Sequence, residues 1–167
     1  MNLTAIDFRK AMGCFATGVT IITVDQDGAG EIHGMTANAF TSVSLDPPLI
    51  LVCVDQRART HAHLHARQRF GINVLSSAQQ AISEYYARSS DGTKAAHQHA
   101  ETAGARFERT AHGTPMLQGA LAYLECRLRS TQPAGDHTIF IAEVEQVEVR
   151  EGEPLLYFRS QYRAIAT

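Results

Sequence analysis

The chain has 167 residues, 44% hydrophobic and 19% charged, with fifteen Lys plus Arg against seventeen Asp plus Glu and a net charge of −2. That length predicts one domain, 1–167, able to bury roughly 70% of the surface its unfolded form exposes, and the composition excludes wholesale disorder. The missing basic excess argues against nucleic acid as a partner, and the longest apolar runs, such as 47–54, are too short to span a bilayer. The first ten residues mix acids and bases without the apolar core of a signal peptide. Three cysteines at 14, 53 and 126 with no CxxC make no disulfide framework, so a cytoplasmic protein is expected.

In chain order, Thr4-x-x-Asp7 resembles a capping box, and Phe8, Ala11, Met12 and Phe15 follow at helical spacing. Gly18 to Val24 is β-branched and predicts a strand. The Asp25-Gln26-Asp27-Gly28 turn then returns it through Glu31 to Asn38 as a hairpin. Asp46-Pro47-Pro48 breaks the chain, and Leu49 to Val54 reads as an apolar strand buried on both faces. Thr60 can cap a short helix to about Gln68, and Phe70 to Leu75 is another strand. Ser76 and Ser77 open a further helix with Ala78, Ala81, Ile82 and Tyr85 on one face. Residues 89 to 115 are polar, with no sustained period, and read as one long loop. Beyond it come strands at 120–129, 138–149 and 155–159, with a turn at Gln132 to Asp136. About seven strands and three helices, with the strands clustered, predict a β-rich α+β fold: a barrel or sandwich with flanking helices, not a doubly wound sheet.

The common catalytic fingerprints are missing. Gly28-x-Gly30-x-x-His33 fails the dinucleotide pattern at its last position, and neither GxxxxGK[ST] nor GxSxG occurs. Histidine occurs eight times. On a helix, His61 and His65 of the His61-x-His63-x-His65 run could share a metal. Without HExxH or a nearby cysteine, they read as solvated helix histidines, and His97 and His99 as loop residues. No metal site is expected. The stretch Gly34 to Pro48 packs small residues and hydroxyls (Thr36, Asn38, Thr41, Ser42) where a flat ligand could approach the main chain; a capped β-turn explains it equally well. Asp55-Gln56-Arg57-Ala58-Arg59-Thr60 joins a strand to a helix. Two arginines at a helix N-terminus make a phosphate seat or a solvated turn. His137 follows a turn at the mouth of a long strand, where its ring faces a site or serves the fold.

The segments FATGVTIIT, GMTANAFTSVSLDPP, LVCVDQRART, RFGINVL, GDHTIF and PLLYFRSQYR occur in this order. Together they resemble the flavin reductase-like, FMN-binding split-barrel family over nearly the whole chain, from about Phe8 to Tyr162. In particular they resemble the short NAD(P)H:flavin oxidoreductase component of two-component flavin-dependent monooxygenases. The basic phosphate-binding pattern of the related pyridoxamine-phosphate oxidase branch is not seen. The resemblance implies a split β-barrel, FMN or FAD as flavin, NADH or NADPH as hydride donor, a homodimer, and a monooxygenase that receives the reduced flavin.

It also implies site residues. The flavin-wrapping loop falls on Thr36, Ala37, Asn38, Ala39, Phe40, Thr41 and Ser42. The phosphate-holding turn falls on Asp55 to Thr60, with Arg59 and Thr60 as phosphate contacts and Ala58 where many relatives carry Ser. Arg88 is a further candidate for the flavin phosphate or the nucleotide tail. His137 falls at the nicotinamide as the catalytic position, and Tyr157, Arg159 and Tyr162 form an aromatic-basic patch for NAD(P)H. Hydride transfer needs two stacked rings and no nucleophile or metal, which suits so plain a set of residues. A non-catalytic flavin-storage barrel and a His-rich metal binder are the alternatives.

Overall fold

The computed structural model describes residues 3–28, 30–88 and 104–165. Helix α1 (Ala5–Met12) starts with a true capping box: Thr4 Oγ1 accepts the Asp7 N–H at 3.1 Å, and the Asp7 carboxylate accepts the Thr4 N–H at 3.3 Å. None of its residues is buried, so its apolar stripe stays outside the core. Strands β1 (Thr17–Gly18) and β2 (Thr20–Asp25) follow. The turn after β2 is held by Asp25, whose Oδ1 accepts the Gly28 N–H at 2.7 Å, and β3 (Ile32–Ala37) returns antiparallel. Next come β4 (Phe40–Leu45), β5 (Pro48–Asp55), α2 (Arg59–Arg67) and β6 (Arg69–Val74). A 3₁₀ turn, Ser77–Gln79, leads into α3 (Gln80–Ala87). The hairpin β7 (Phe107–Arg109) and β8 (Pro115–Leu117) precedes the long pair β9 (Ala122–Ala134) and β10 (His137–Val149), and β11 (Leu156–Phe158) and β12 (Gln161–Arg163) close the chain.

Seven strands form one sheet in the order β3-β2-β6-β9-β10-β5-β4; β1, β11 and β12 make a small second sheet. Strands β3 and β4 are its two edges and share no ladder, yet only Asn38 and Ala39 separate them in the chain. Three Cα–Cα steps reach at most about 11 Å, so the sheet must curl until its edges approach at that corner. The core agrees. Ile22, Val52, Phe70, Cys126 and Phe140, with Met35 and Phe40 from the two edges, pack into one cluster to which all seven strands contribute, and Leu64 of α2 fills it at 0% exposure. A second cluster lies on the other side of β2, where Val19 and Ile21 meet Ile82 and Tyr86 of α3 and Leu155.

Several expectations change in three dimensions. Leu49 to Val54 is not buried on both faces: Ile50, Val52 and Val54 are buried and the alternate residues half-buried, because at β5, flanked by β10 and β4, only one face of the sheet carries the core. Residues 40–45, read as loop, form edge strand β4, whose ladder with β5 costs little side-chain burial and so leaves no apolar alternation. Thr60 is not the cap of α2; Ala58 is the N-cap and Thr60 lies one turn position inside the helix. The buried stripe of α3 is Gln79, Ile82, Ser83 and Tyr86, with Ala78 and Ala81 exposed, because Gln79 caps the start by hydrogen-bonding Ser76 N. Within 104–115, part of the expected loop is strand β7. Ala122–Ala134 runs through the expected turn, which shrinks to Gly135-Asp136.

The β7–β8 hairpin is fastened by buried polar groups. Glu125 on β9, 0% exposed, accepts hydrogen bonds from Thr110 Oγ1 (2.8 Å) and Thr114 Oγ1 (2.5 Å), with His112 Nδ1 at 3.2 Å. Asn73 Oδ1 accepts the Leu117 N–H, and Thr23 Oγ1 donates to Pro115 O.

Candidate functional site

A cavity of about 500 Å³ opens where β3, the end of β5, the start of α2 and α3 converge. Its size suits a cofactor-scale ligand. On one side Tyr86 of α3 lies flat against β3, and a Cβ at Gly34 would meet its ring at 2.5 Å, so this contact requires glycine. Burial drives the Tyr86 phenol well above its usual range. On β3, Thr36 Oγ1 donates to Ser83 O at 2.7 Å and ties the strand to α3.

The opposite side is cationic. Helix α2 begins at Ala58, which offers no side-chain cap to the first-turn N–H groups, and Ala58, Arg59 and Thr60 all line the cavity. Asp55, the cavity's only carboxylate among the described residues, is claimed by Arg57. Nη2 and Nε of Arg57 reach its two oxygens at 2.7 and 3.1 Å, and the Arg57 N–H donates at 2.8 Å. These bonds hold the Asp55 carboxyl far below the usual carboxylate range. Arg59 donates to a neutral acceptor, Gln26 Oε1, at 3.2 Å, leaving its charge for a ligand. Beneath it His33, 9% exposed, has Nε2 2.7 Å from Thr60 Oγ1. Burial, then the neighbouring His63 and Arg59, lower the pKa of His33 to about 4, so it is neutral at ordinary pH. An uncapped helix N-terminus with an arginine, above a cavity without a free carboxylate among the described residues, can hold an anion.

The comparisons with known proteins give this anion seat its context. The model of the flavin reductase like domain matches residues 12–166. The chain is 40% identical over 165 residues, 98% of its length and 88% of the relative's, to the NADH-dependent flavin reductase of a Rhodococcus species. Among solved structures it is similar to the flavin reductase PheA2 in its native state: TM-score 0.86 at 38% identity, covering 99% of this chain and 100% of that one. It is also similar to the NADH:FAD oxidoreductase SgcE6 of Streptomyces globisporus in complex with NAD and FAD fragments, with TM-score 0.85 at 34% identity over 99% and 98% of the two chains. The chain belongs to the flavin reductase-like family.

Of the residues that the family resemblance implies, this member brings Thr36, Asp55, Arg59 and Thr60 into the one cavity. The rest of the expected flavin-wrapping loop is spread along the strand edge. Ala37 O accepts from Thr20 Oγ1 at 2.7 Å, Asn38 Nδ2 donates to Thr17 Oγ1 at 3.3 Å, and Ala39 O accepts the Cys53 N–H at 3.0 Å. Phe40 packs on the core, while Thr41 and Ser42 are exposed on β4. Arg88 follows Ala87 at the end of α3, exposed, with Nη2 3.9 Å from Glu84. His137 opens β10 directly across the ladder from Asp55; its ring is 43% exposed and its Nδ1 lies 2.8 Å from Asp136 Oδ1.

The three C-terminal residues do not form one patch. Tyr157 and Tyr162 pack together, ring centroids 5.3 Å apart, with Tyr162 Oη 2.8 Å from Ser83 Oγ beside α3. Arg159 instead lines a second hollow with Arg9, Lys10 and Gly13, its N–H donating to Gly13 O at 2.8 Å, because the β11–β12 turn throws it outward. The helix histidines are only partly solvated: His65 is exposed, while His61 and His63 are half-buried. His61 Nε2 lies 3.0 Å from Thr138 Oγ1, His65 packs on Phe140, and His63 is 4.7 Å from His33, because α2 lies on the sheet through that face. His97 and His99 lie outside the described residues. Among the described residues no group of three possible metal ligands occurs.

Sequence reasoning missed His33 and Tyr86, took Gly34 only as the start of a stretch of small residues, and named Arg57 only as part of its turn. Their signal is tertiary. No spacing relates residue 33 to 60, or 34 to 86.

Proposed function

We propose that this chain is an NAD(P)H:flavin oxidoreductase whose cavity between β3, α2 and α3 binds FMN or FAD, with the flavin phosphate at Ala58 to Thr60. The observation that carries the reading is the uncapped start of α2 with Arg59 beside it, on a cavity whose one carboxylate is already paired. The donor set fits the group: first-turn N–H groups and a guanidinium serve a phosphate, and the mixed polar and aromatic wall of Thr36, Met35 and Tyr86 serves a flat ring. The bound flavin supplies the hydride-accepting chemistry. This chain's residues bind and orient: Arg59 and the α2 N–H groups hold the anion, Arg57 keeps Asp55 from repelling it, and Gly34 lets Tyr86 close the wall. The family resemblance supports a place for His137 at the nicotinamide. There the Asp136 carboxylate fixes the ring, which serves to position the donor, since hydride transfer needs no general acid.

The curled sheet, its edges joined by two residues and its core shared by all strands, supports a split β-barrel formed as a single domain over 1–167. Ile6, Phe8, Met12 and Phe15 are each more than half exposed, which supports burial of α1 in a homodimer. Relatives include the reductase components of a 4-nitrophenol monooxygenase from Rhodococcus opacus and of a 4-hydroxyphenylacetate 3-monooxygenase from Thermus thermophilus, which supports a flavin-dependent monooxygenase as the recipient of reduced flavin. Among the described residues no helix is long and apolar enough to cross a membrane, in keeping with a cytoplasmic enzyme. The test is loss of NADH absorbance with and without added FMN or FAD, in the presence of EDTA. Turnover that needs flavin and survives EDTA is expected. Flavin binding without turnover indicates a storage barrel instead.

A further inference from the structure

We propose that His33 is a positioning residue for the flavin phosphate: through Thr60 it holds the first turn of α2 at the cavity floor and so favours phosphorylated over unphosphorylated flavin. The inference rests on the phosphate reading above and adds to it a residue outside the phosphate-holding turn.

Helix α2 is tied to the rest of the fold along two faces: on one, His61 meets Thr138 at 3.0 Å and His65 packs on Phe140; on the other there are three contacts. Leu64 fills the core in the middle, Arg67 Nε donates to Asp25 O at 3.0 Å near the end, and Thr60 meets His33 at the start. Of the first-turn side chains, His61 ties the helix to β10, whereas Thr60 ties it to β3, the strand that lines the cavity. The Thr60 hydroxyl lies 2.7 Å from His33 Nε2, and the residue, 1% exposed, sits at the cavity lining. Among the described residues strand β3 is a sheet edge with no ladder beyond it.

The chemistry of the residue suits the task. A cation at this point would compete with the phosphate contacts, since Arg59 and the positive end of α2 are already there. A buried neutral imidazole, kept so by desolvation and by His63 and Arg59, anchors the turn without adding charge. Its ring also lines the cavity, packed 4.7 Å from the His63 ring, so its orientation is set from two sides.

The experiment compares kcat/KM for FMN with that for riboflavin at saturating NADH in four forms: the natural enzyme, His33→Phe, Thr60→Val and His33→Gln. The natural enzyme should prefer FMN. His33→Phe should reduce the FMN-to-riboflavin ratio about tenfold, and His33→Gln, whose amide can reach Thr60, should restore most of it. Thr60→Val removes the same bond from the helix side, so it gives the answer if His33→Phe fails to fold, and combined with His33→Gln it should abolish the rescue. A natural enzyme that reduces no flavin, or shows no preference for FMN, overturns the phosphate reading and this inference together. A natural enzyme that prefers FMN, with variants that keep the preference, overturns this inference alone.

Discussion

Glu125 and His33 are both titratable side chains in the interior, 0% and 9% exposed, yet the protein treats them in opposite ways. The Glu125 carboxylate is surrounded by the protein's own donors: two threonine hydroxyls, the His112 imidazole and, at 4.0 Å, the Arg69 guanidinium. Burial pushes its pKa up, but the bonds from Thr114, Thr110 and His112 outweigh that and hold the carboxyl below its usual value. The cluster consumes its hydrogen bonds internally and clamps a hairpin. Around His33 the protein stops short. Thr60 is satisfied, but the helix start above it has no cap, and Arg59 has only a neutral partner. A polar centre that satisfies itself is architecture; one that leaves donors converging on open space is a site.

The largest expected effect falls on the first centre. Glu125→Ala should destabilise the fold by about 2–4 kcal/mol, because it leaves the buried Thr114 and half-buried Thr110 hydroxyls without their acceptor, while Arg69 keeps Glu145. Urea unfolding measures it, and a loss below about 1 kcal/mol would show that the cluster is not a clamp. At the second centre the effect should be on ligand and not on folding. Arg59→Ala should weaken FMN by about 1.5–3 kcal/mol relative to riboflavin, the scale of a charge-assisted hydrogen bond. Titration of flavin fluorescence decides it, and equal losses for both flavins would move the phosphate elsewhere.

A smaller effect reads the two centres by pH. Burial lowers the pKa of His33 from its ordinary 6.5 to about 4, so between those values the unfolded chain binds a proton that the folded one excludes. Its contribution to stability is full above pH 6.5 and is lost as the pH falls through that window, at up to about 1.4 kcal/mol per pH unit. His33→Gln should flatten the stability profile there, whereas the contribution of Glu125 is lost only below about pH 4.5, the ordinary glutamate value. Denaturant midpoints at several pH values separate the two; an unchanged slope in His33→Gln would show that the histidine is not buried neutral. The smallest effect lies outside both centres. His137→Ala should raise the KM for NADH about tenfold and lower the rate of hydride transfer, with flavin affinity little altered. Stopped-flow traces give both, and intact NADH kinetics with lost flavin binding would make His137 a structural residue.

The strands were legible where β-branched runs alternate or cluster, as at Thr20–Asp25 and His137–Val149, and the helix starts where a Ser or Thr precedes a Glu, Asp or Gln. Edge strand β4 was not, because an exposed edge needs no apolar pattern. Of the site, the Asp55 to Thr60 turn could be found because its charges are adjacent in the chain. His33 and Tyr86 could not, since each becomes part of the cavity only when the sheet curls and α2 and α3 pack against β3.

By itself the sequence determined the family, a β-rich chain with three helices and a chemistry without a nucleophile, because ordered local motifs and periodicities survive in one dimension. Tertiary structure alone decided that the helix histidines pack on the sheet, that Arg159 leaves the tyrosines, and that His33 lies under the helix start. Those outcomes depend on which faces meet when seven strands share one core, and contacts between residues far apart in the chain have no local code.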